Sequence, residues 1–438
     1  MNNSSKIEKS NILKGLPKGW TIKKLSKCIR QINTGLNPRD NFKLGKGDIK
    51  YITAKNITQF NTIDFNNCDY VDDKAKEIIH KRSDIQRDDI LFSSRAPVGQ
   101  CHLIKEDPNY YDIAESIFSI RVDKSVIMPE YLCLYLSSKH FISMASKNTT
   151  GSIISEIRIS DLKNTDVIIP PIEVQKNISD FINKIDDKLY YNMKILEEMN
   201  RLAKILYEYW FLQFEFPNKD GYPYKSSGGK MKFSKEVNRE IPEEWEVKTL
   251  YKNSLCKIIK TGVDDFESKN FLTTANIIGT QVTDGKWINY DSRPSRANMQ
   301  PTENSVWFAK MKNSYKHLYL SDNCDYTIDK YIISTGMLGL KCNQNAFSYI
   351  ASYIQNKNFE KRKDMVATGA TQEAINNEDL KFFNIVIPDN STLNKFDDLT
   401  RNLFRLREGI FEENQQLNEL KNWLLPMLIN GQIKINSK

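Results

Sequence analysis

The sequence predicts an α+β protein: two similar mixed α/β domains separated by two long helices that form an antiparallel coiled coil, the whole related by a pseudo-twofold. Three observations carry this. The edges of two segments repeat, a period-3.5 apolar run follows each segment, and the interiors mix β-rich and helical stretches. At ~150 residues per domain, 438 residues hold roughly two to three domains.

The repeat comes first. LPKGWTIKKL at 16–25 matches IPEEWEVKTL at 241–250, with Pro17, Trp20, Lys23 and Leu25 meeting Pro242, Trp245, Lys248 and Leu250 at an offset of 225. A second pair, 150–170 and 368–388, is offset by 218 and shares Thr150, Gly151, Ile157, Asp161, Leu162, Lys163, Ile169 and Pro170. Two matches in the same order argue for a duplication. Between them, 262–330 shows little likeness to 35–110, which predicts one fold with divergent middles. Within the units, 51–57, 89–92, 116–122, 306–308 and 331–334 are β-rich, while 130–137 and 347–355 have a helical pattern.

After Pro170 and Pro171, apolar residues recur at Ile178, Ile182, Ile185, Leu189, Leu196, Met199, Ala203 and Leu206, with Asn192 in one slot. After Pro388 the run is Phe396, Leu399, Leu403, Leu406, Ile410, Leu417, Leu420 and Leu424, with Glu413 in the polar slot. Alternating spacings of three and four over four heptads predict a coiled-coil seam, ~42 Å long at 1.5 Å per residue. The first helix leaves unit one and the second leaves unit two, so a twofold relation makes them antiparallel. Pro217 is expected to end the first and Gly431 to cap the second. The expected boundaries are 1–170 and 241–388 for the domains, 171–215 and 389–431 for the helices, and 216–240 for a solvated linker rich in Gly, Ser, Pro and Lys.

Lys and Arg total 63 against 55 Asp and Glu, a formal charge of +8, which permits a nucleic-acid partner without requiring one. No apolar run approaches the ~20 residues of a membrane span, and the first 16 residues lack a signal-peptide core; a cytoplasmic, soluble protein is expected. Seven scattered cysteines form no CxxC pair and only four histidines are present, which argues against a zinc site and for a reducing compartment. His80, His102, His140 and His317 are expected to be structural or exposed. The Asn/Asp-Pro-Pro-aromatic motif of amino-methylation, a Gly-rich S-adenosylmethionine loop and GxxxxGK[ST] are absent. No metal, bound cofactor or catalytic residue is expected on this chain.

Basic loops are the candidate binding features. LFSSRAPVGQ at 91–100 offers the hydroxyls of Ser93 and Ser94 and the guanidinium of Arg95, groups suited to guanine edges or phosphate. DSRPSRANMQ at 291–300 holds Arg293 and Arg296, and AKMKNSYKH at 309–317 sets Lys310, Lys312 and Lys316 around Tyr315. The competing reading of each is a solvated basic loop.

With LPKGW/IPEEWEV, the TG…DLK…IP tails, the two helices, YEYWFLQFEFPNKDG at 207–221, YITAKNI and DILFSSRAPVG in this order, the chain resembles the specificity subunit of type I restriction–modification systems from Leu16 to Gly431. The resemblance implies that each mixed domain is a target-recognition domain reading one half of a bipartite, asymmetric DNA sequence. It also implies that the helices set the gap and dock two methyltransferase subunits, which carry S-adenosylmethionine and methylate adenine. Two restriction subunits, where present, supply ATP- and Mg-dependent translocation and cleavage. Arg39, Lys55 and Asn56 complete the DNA-contact candidates. Tyr207, Tyr209, Trp210 and Phe211, at the end of the first helix, are the candidate partner-binding surface; their competing role is packing on the chain's own second domain. Two other classes stay open: an enzyme in its own right, and a coiled-coil scaffold or DNA-binding adaptor of a methylation-only system.

Overall fold

The computed structural model describes residues 15–39, 41–58, 61–138, 141–142, 156–283, 285–369 and 372–435. His140, Thr150 and Gly151 lie outside the described residues. The chain forms two compact units, Met1–Tyr191 with Gln416–Lys438, and Asn192–Gln415. No described helix is long and apolar enough to cross a membrane.

In the first unit, strand Thr21–Lys24 pairs antiparallel with Asp166–Ile169, so the two repeated edges of the sequence close on each other. Between them lies a four-stranded antiparallel sheet in the order Ile29–Thr34, Ile117–Val122, Ile90–Ser93, Cys101–Leu103. A mixed three-stranded sheet follows the order Asp69–Val71, Ile49–Ile52, Tyr111–Ile113, the last pair parallel. Strand Ile90–Ser93 is buried at all four positions, as its unbroken apolar run requires. Helix Pro129–Ser137 covers the framework pair: Tyr131 Oη donates to the Ile168 carbonyl and Tyr135 Oη to the Asp166 carbonyl, both at 3.0 Å.

The second unit repeats this order and adds to it an edge strand and the ribbon Ile277–Ile278 with Gln281–Val282. Glu246–Thr249 pairs with Asn384–Ile387. The four-stranded sheet runs Cys256–Ile258, Met337–Cys342, Ser305–Ala309, His317–Leu320. The mixed sheet runs Lys286–Ile288, Lys269–Leu272, Tyr331–Ser334, with Ala297–Met299 added at its edge. Helix Phe347–Gln355 again sends two tyrosines to the last strand, Tyr349 to the Val386 carbonyl at 2.6 Å and Tyr353 to the Asn384 carbonyl at 3.0 Å. The middles that look unrelated in sequence therefore share their topology. Backbone ladders and an apolar inner face define a sheet, and neither needs residue identity.

The first long helix spans Ile172–Tyr207 and ends through a π-helical turn, Glu208–Leu212, short of Pro217. The second spans Asn390–Ile429, and Gly431 follows it at φ +71°, in the left-handed region its capping role requires. Within the second unit the helices run antiparallel: Asn192 Nδ2 donates to Glu413 Oε2 and Asn414 Oδ1, and Arg407 Nη1 to Asn200 Oδ1. Within the first unit Lys421 bonds Asp186. The seam on the first helix is buried at Ile178, Ile182, Ile185, Leu189, Asn192, Met199 and Ala203. The second helix departs from the expected seam. Phe396 and Ile410 of that seam are buried, but Leu399, Leu406 and Leu420 are exposed, while Leu393, Thr400, Phe404, Arg407 and Glu408, outside it, are buried. This helix turns its inner face to the sheet of its own unit, so domain packing rather than the heptad sets its rotation.

The stretch 216–240 is exposed along most of its length, as expected of a solvated linker, but it is ordered. Met231–Ser234 and Arg239–Pro242 form a hairpin, and Phe216 stacks on Trp245 with ring centroids 4.7 Å apart. Phe216, stacked on both Trp245 and Tyr224, anchors its start.

Candidate nucleic-acid interface

The turn after strand Ile90–Ser93 carries Ser93, Ser94 and Arg95, and the structure engages all three internally. Ser93 Oγ donates to the Arg95 and Pro97 carbonyls, and Ser94 Oγ to the Ser116 carbonyl at 2.9 Å. Both serines are fully buried, so neither offers a hydroxyl to a ligand. Arg95 is half-exposed but flanked by two carboxylates, Glu115 Oε1 at 2.8 Å and Glu156 Oε1 at 3.5 Å. The hydrogen bond to Glu115 leads the causes that raise its pKa. Glu115 is itself held below the usual carboxylate range, first by the Asn37 side-chain amide at 2.6 Å and then by Arg95. Asn56 is buried too: it closes a capping box with Thr53 and donates to the Asn67 carbonyl. Arg39 and Lys55 remain exposed.

The corresponding turn of the second unit joins Ser305–Ala309 to His317–Leu320. Lys312 Nζ lies 2.7 Å from Glu373 Oε2, and Lys316 Nζ donates to the Thr274 carbonyl. Tyr315, half-exposed, donates to Asp364 Oδ2, a bond that leads the causes raising its phenol pKa. Lys310 is different: among the described residues its ammonium has no hydrogen-bond or ion-pair partner, and burial lowers its pKa. Arg293 stacks on Tyr290, its guanidinium carbon 3.8 Å from the ring centre, and Arg296 is exposed.

The support of the second turn comes from residues remote in sequence. Helix Lys357–Val366 braces it from the interior: Glu360 lies 2.6 Å from both His317 Nε2 and Lys363 Nζ, and Lys363 Nζ donates to the Ser314 carbonyl. Tyr319 Oη is 3.0 Å from His317 Nδ1. Such a buried set, joined by ion pairs and hydrogen bonds, fixes the turn that rests on it. Of the other described histidines, His102 is structural, its Nδ1 2.8 Å from the Asn61 carbonyl with burial lowering its pKa, and the half-exposed His80 lies 3.3 Å from the buried Asp112.

Three of the four candidate docking aromatics are core residues. Phe211 sits 4.5 Å from Tyr349 and 4.8 Å from Phe396, and Trp210 5.5 Å from Phe396, by ring centres. Tyr207 packs on Tyr349, while Tyr209 is exposed. They lie inside the second unit because the helix end is part of its core. The exposed apolar side chains of the helices in this unit are instead Ile195, Leu202, Ile205, Leu399 and Leu406, with Tyr209.

The sequence pattern of the type I restriction modification DNA specificity domain matches residues 17–201. Over those residues the chain is similar to that family. Beyond the specificity domain itself, the MjaIX specificity subunit of a type I restriction enzyme from Methanocaldococcus jannaschii is 24% identical, over 96% of this chain and 95% of its own. The HindI specificity subunit from Haemophilus influenzae is 21% identical over 80% of this chain and 87% of its own. A solved type I restriction–modification S subunit from M. genitalium shares the fold, at TM-score 0.51 and 12% identity, over 96% of this chain and 97% of that one. The strands of 17–170, inside that match, have their structural repeat at 241–388, which carries added strands of its own.

Proposed function

We propose that this chain is the DNA-binding specificity subunit of a type I restriction–modification complex, working in the cytoplasm on double-stranded DNA. Each mixed unit reads one half of a bipartite, asymmetric target. Two methyltransferase subunits dock on the helices and methylate adenine with S-adenosylmethionine; restriction subunits, where the system has them, bring ATP and Mg and cleave. This chain performs no catalysis.

The observation that carries the reading is a duplicated fold whose equivalent turns bear different side chains. Identical frameworks present chemically distinct loops, as a reader of two unlike half-sites requires. The docking surface is reassigned from the buried aromatics to Ile195, Leu202, Ile205, Tyr209, Leu399 and Leu406, apolar groups exposed on the helices.

The test replaces residues 241–388 with the counterpart from another specificity subunit and sequences the methylated motif in cells that hold the modification subunits. One half of the motif should change and the other persist. A simultaneous change in both halves defeats the two-reader assignment.

A further inference from the structure

The duplicated backbone permits a residue-by-residue comparison of the two turns. The Ser94 amide donates to the Ser116 carbonyl and the Ile157 amide to the Ser94 carbonyl. In the second unit the Lys310 amide donates to the Gly336 carbonyl and the Ile375 amide to the Lys310 carbonyl. The bridge Arg95↔Glu156 is likewise repeated as Met311↔Ala374. Ser94 and Lys310 therefore occupy one backbone slot.

The chemistry of that slot differs sharply. In the first unit it holds a buried hydroxyl that is satisfied by a carbonyl, next to an arginine flanked by Glu115 and Glu156. In the second unit the positions equivalent to Arg95, Glu115 and Glu156 are Met311, Thr335 and Ala374, so the acids are gone. A half-buried lysine has replaced the serine, and among the described residues its ammonium has no partner. Partial burial of an unpaired cation is costly, and a ligand bearing acceptors removes that cost. The backbone of Lys310 is pinned on both sides, so the side chain starts from a fixed point. Fixed origin suits recognition of one base edge better than sliding contact with phosphates.

Resting on the DNA-specificity reading above, we propose that Lys310 is a specificity-determining residue. It donates to base-edge acceptors, of the kind guanine N7 and O6 present in the major groove, within the half-site read by 241–388. The first unit, with Ser94 in this slot, makes no such contact.

The experiment incubates the full-length chain with duplex oligonucleotides of randomised sequence and sequences the bound fraction. The proteins are the wild type, Lys310→Ser, Lys310→Met and, as a control in the same unit, Lys248→Gln, whose charge Glu246 already balances. Thermal unfolding of each establishes that it is folded, and Lys310→Met guards against a packing defect peculiar to serine. The expected result is a loss of preference of about tenfold to a hundredfold at one position of one half-site in both Lys310 variants, with the other half and the control unchanged. An unaltered motif in either folded Lys310 variant overturns the proposal. So does uniform weakening across all sequences with a salt slope smaller by about one, the mark of a phosphate contact. Failure of the wild type to select any motif overturns the DNA-specificity reading as well, and so is distinct from failure of the lysine assignment alone.

Discussion

Trp307 and Gly339 face each other across adjacent strands of the second unit, and a Cβ added at Gly339 would come within 2.5 Å of the indole. In the first unit the equivalent partners are Leu91 and Ser119. Large-with-none and medium-with-small are two solutions for the same volume. Gly339→Ser should cost a few kcal/mol, of order 1–3. Trp307→Leu combined with it should recover part of that loss, giving a non-additive double-mutant cycle in urea unfolding. Glu408 offers a pH test. Burial raises its carboxyl from 4.5 to about 7, although the Ser321 hydroxyl donates to it at 2.6 Å. Between those values the folded chain keeps a proton that the unfolded chain has released. Stability from this group is therefore highest at low pH, declines as pH rises from 4.5 to about 7, and is level above. Glu408→Gln should flatten that decline and gain up to about 3 kcal/mol at pH 8, read as the difference between urea midpoints at pH 5 and pH 8. An unchanged slope would exclude Glu408 as its source.

Among the elements, the paired tyrosines repeat most closely: Tyr131 and Tyr135 in one unit, Tyr349 and Tyr353 in the other, bonded to the last framework strand in equivalent registers. Tyr131→Phe and Tyr349→Phe should each cost about 1 kcal/mol, similar in the two units, in chemical unfolding. A cost confined to one unit would mean that the bonds are not equivalent. These tyrosines share the 218 offset of the TG…DLK…IP tails, so they were legible. So was Thr53-x-x-Asn56-Ile57, which returns as Thr273-x-x-Asn276-Ile277 with the same capping box. This second match is fainter than the edges because Lys55 has become Ala275 and the offset has drifted to 220. The helices were legible as elements, their rotation less so. A heptad reports that a face is apolar, but for Leu399 and Leu406 the choice of what to cover belongs to the neighbouring sheet. The site was legible only as loops. Whether a side chain of the second turn is free or tied depends on Glu373, Asp364 and Glu360, which the fold brings to Lys312, Tyr315 and His317 from 43 to 61 residues away.

At the scale of the molecule, the framework edges were readable because Pro, Trp and Leu there meet strict packing demands, whereas the middles keep only a pattern of burial. The connectivity of the units bears on a separate matter, the order in which they are completed during synthesis. The core of the first unit includes Leu425, Leu428 and Ile429 beside Ile178, Ile182 and Leu189, and a Cβ at Gly431 would meet Pro17. The second unit is one unbroken stretch, 192–415. Domains generally fold from the N-terminus as they leave the ribosome, at ~5–20 residues per second. Here the order inverts: every residue of the second unit is made before the first unit receives its closing piece. Ribosome-bound chains halted with 415 residues outside the exit tunnel should resist protease across 241–388 while 17–170 remains sensitive. Halting with residue 435 outside should protect both. Early protection of 17–170 would show that its core closes without the late segment.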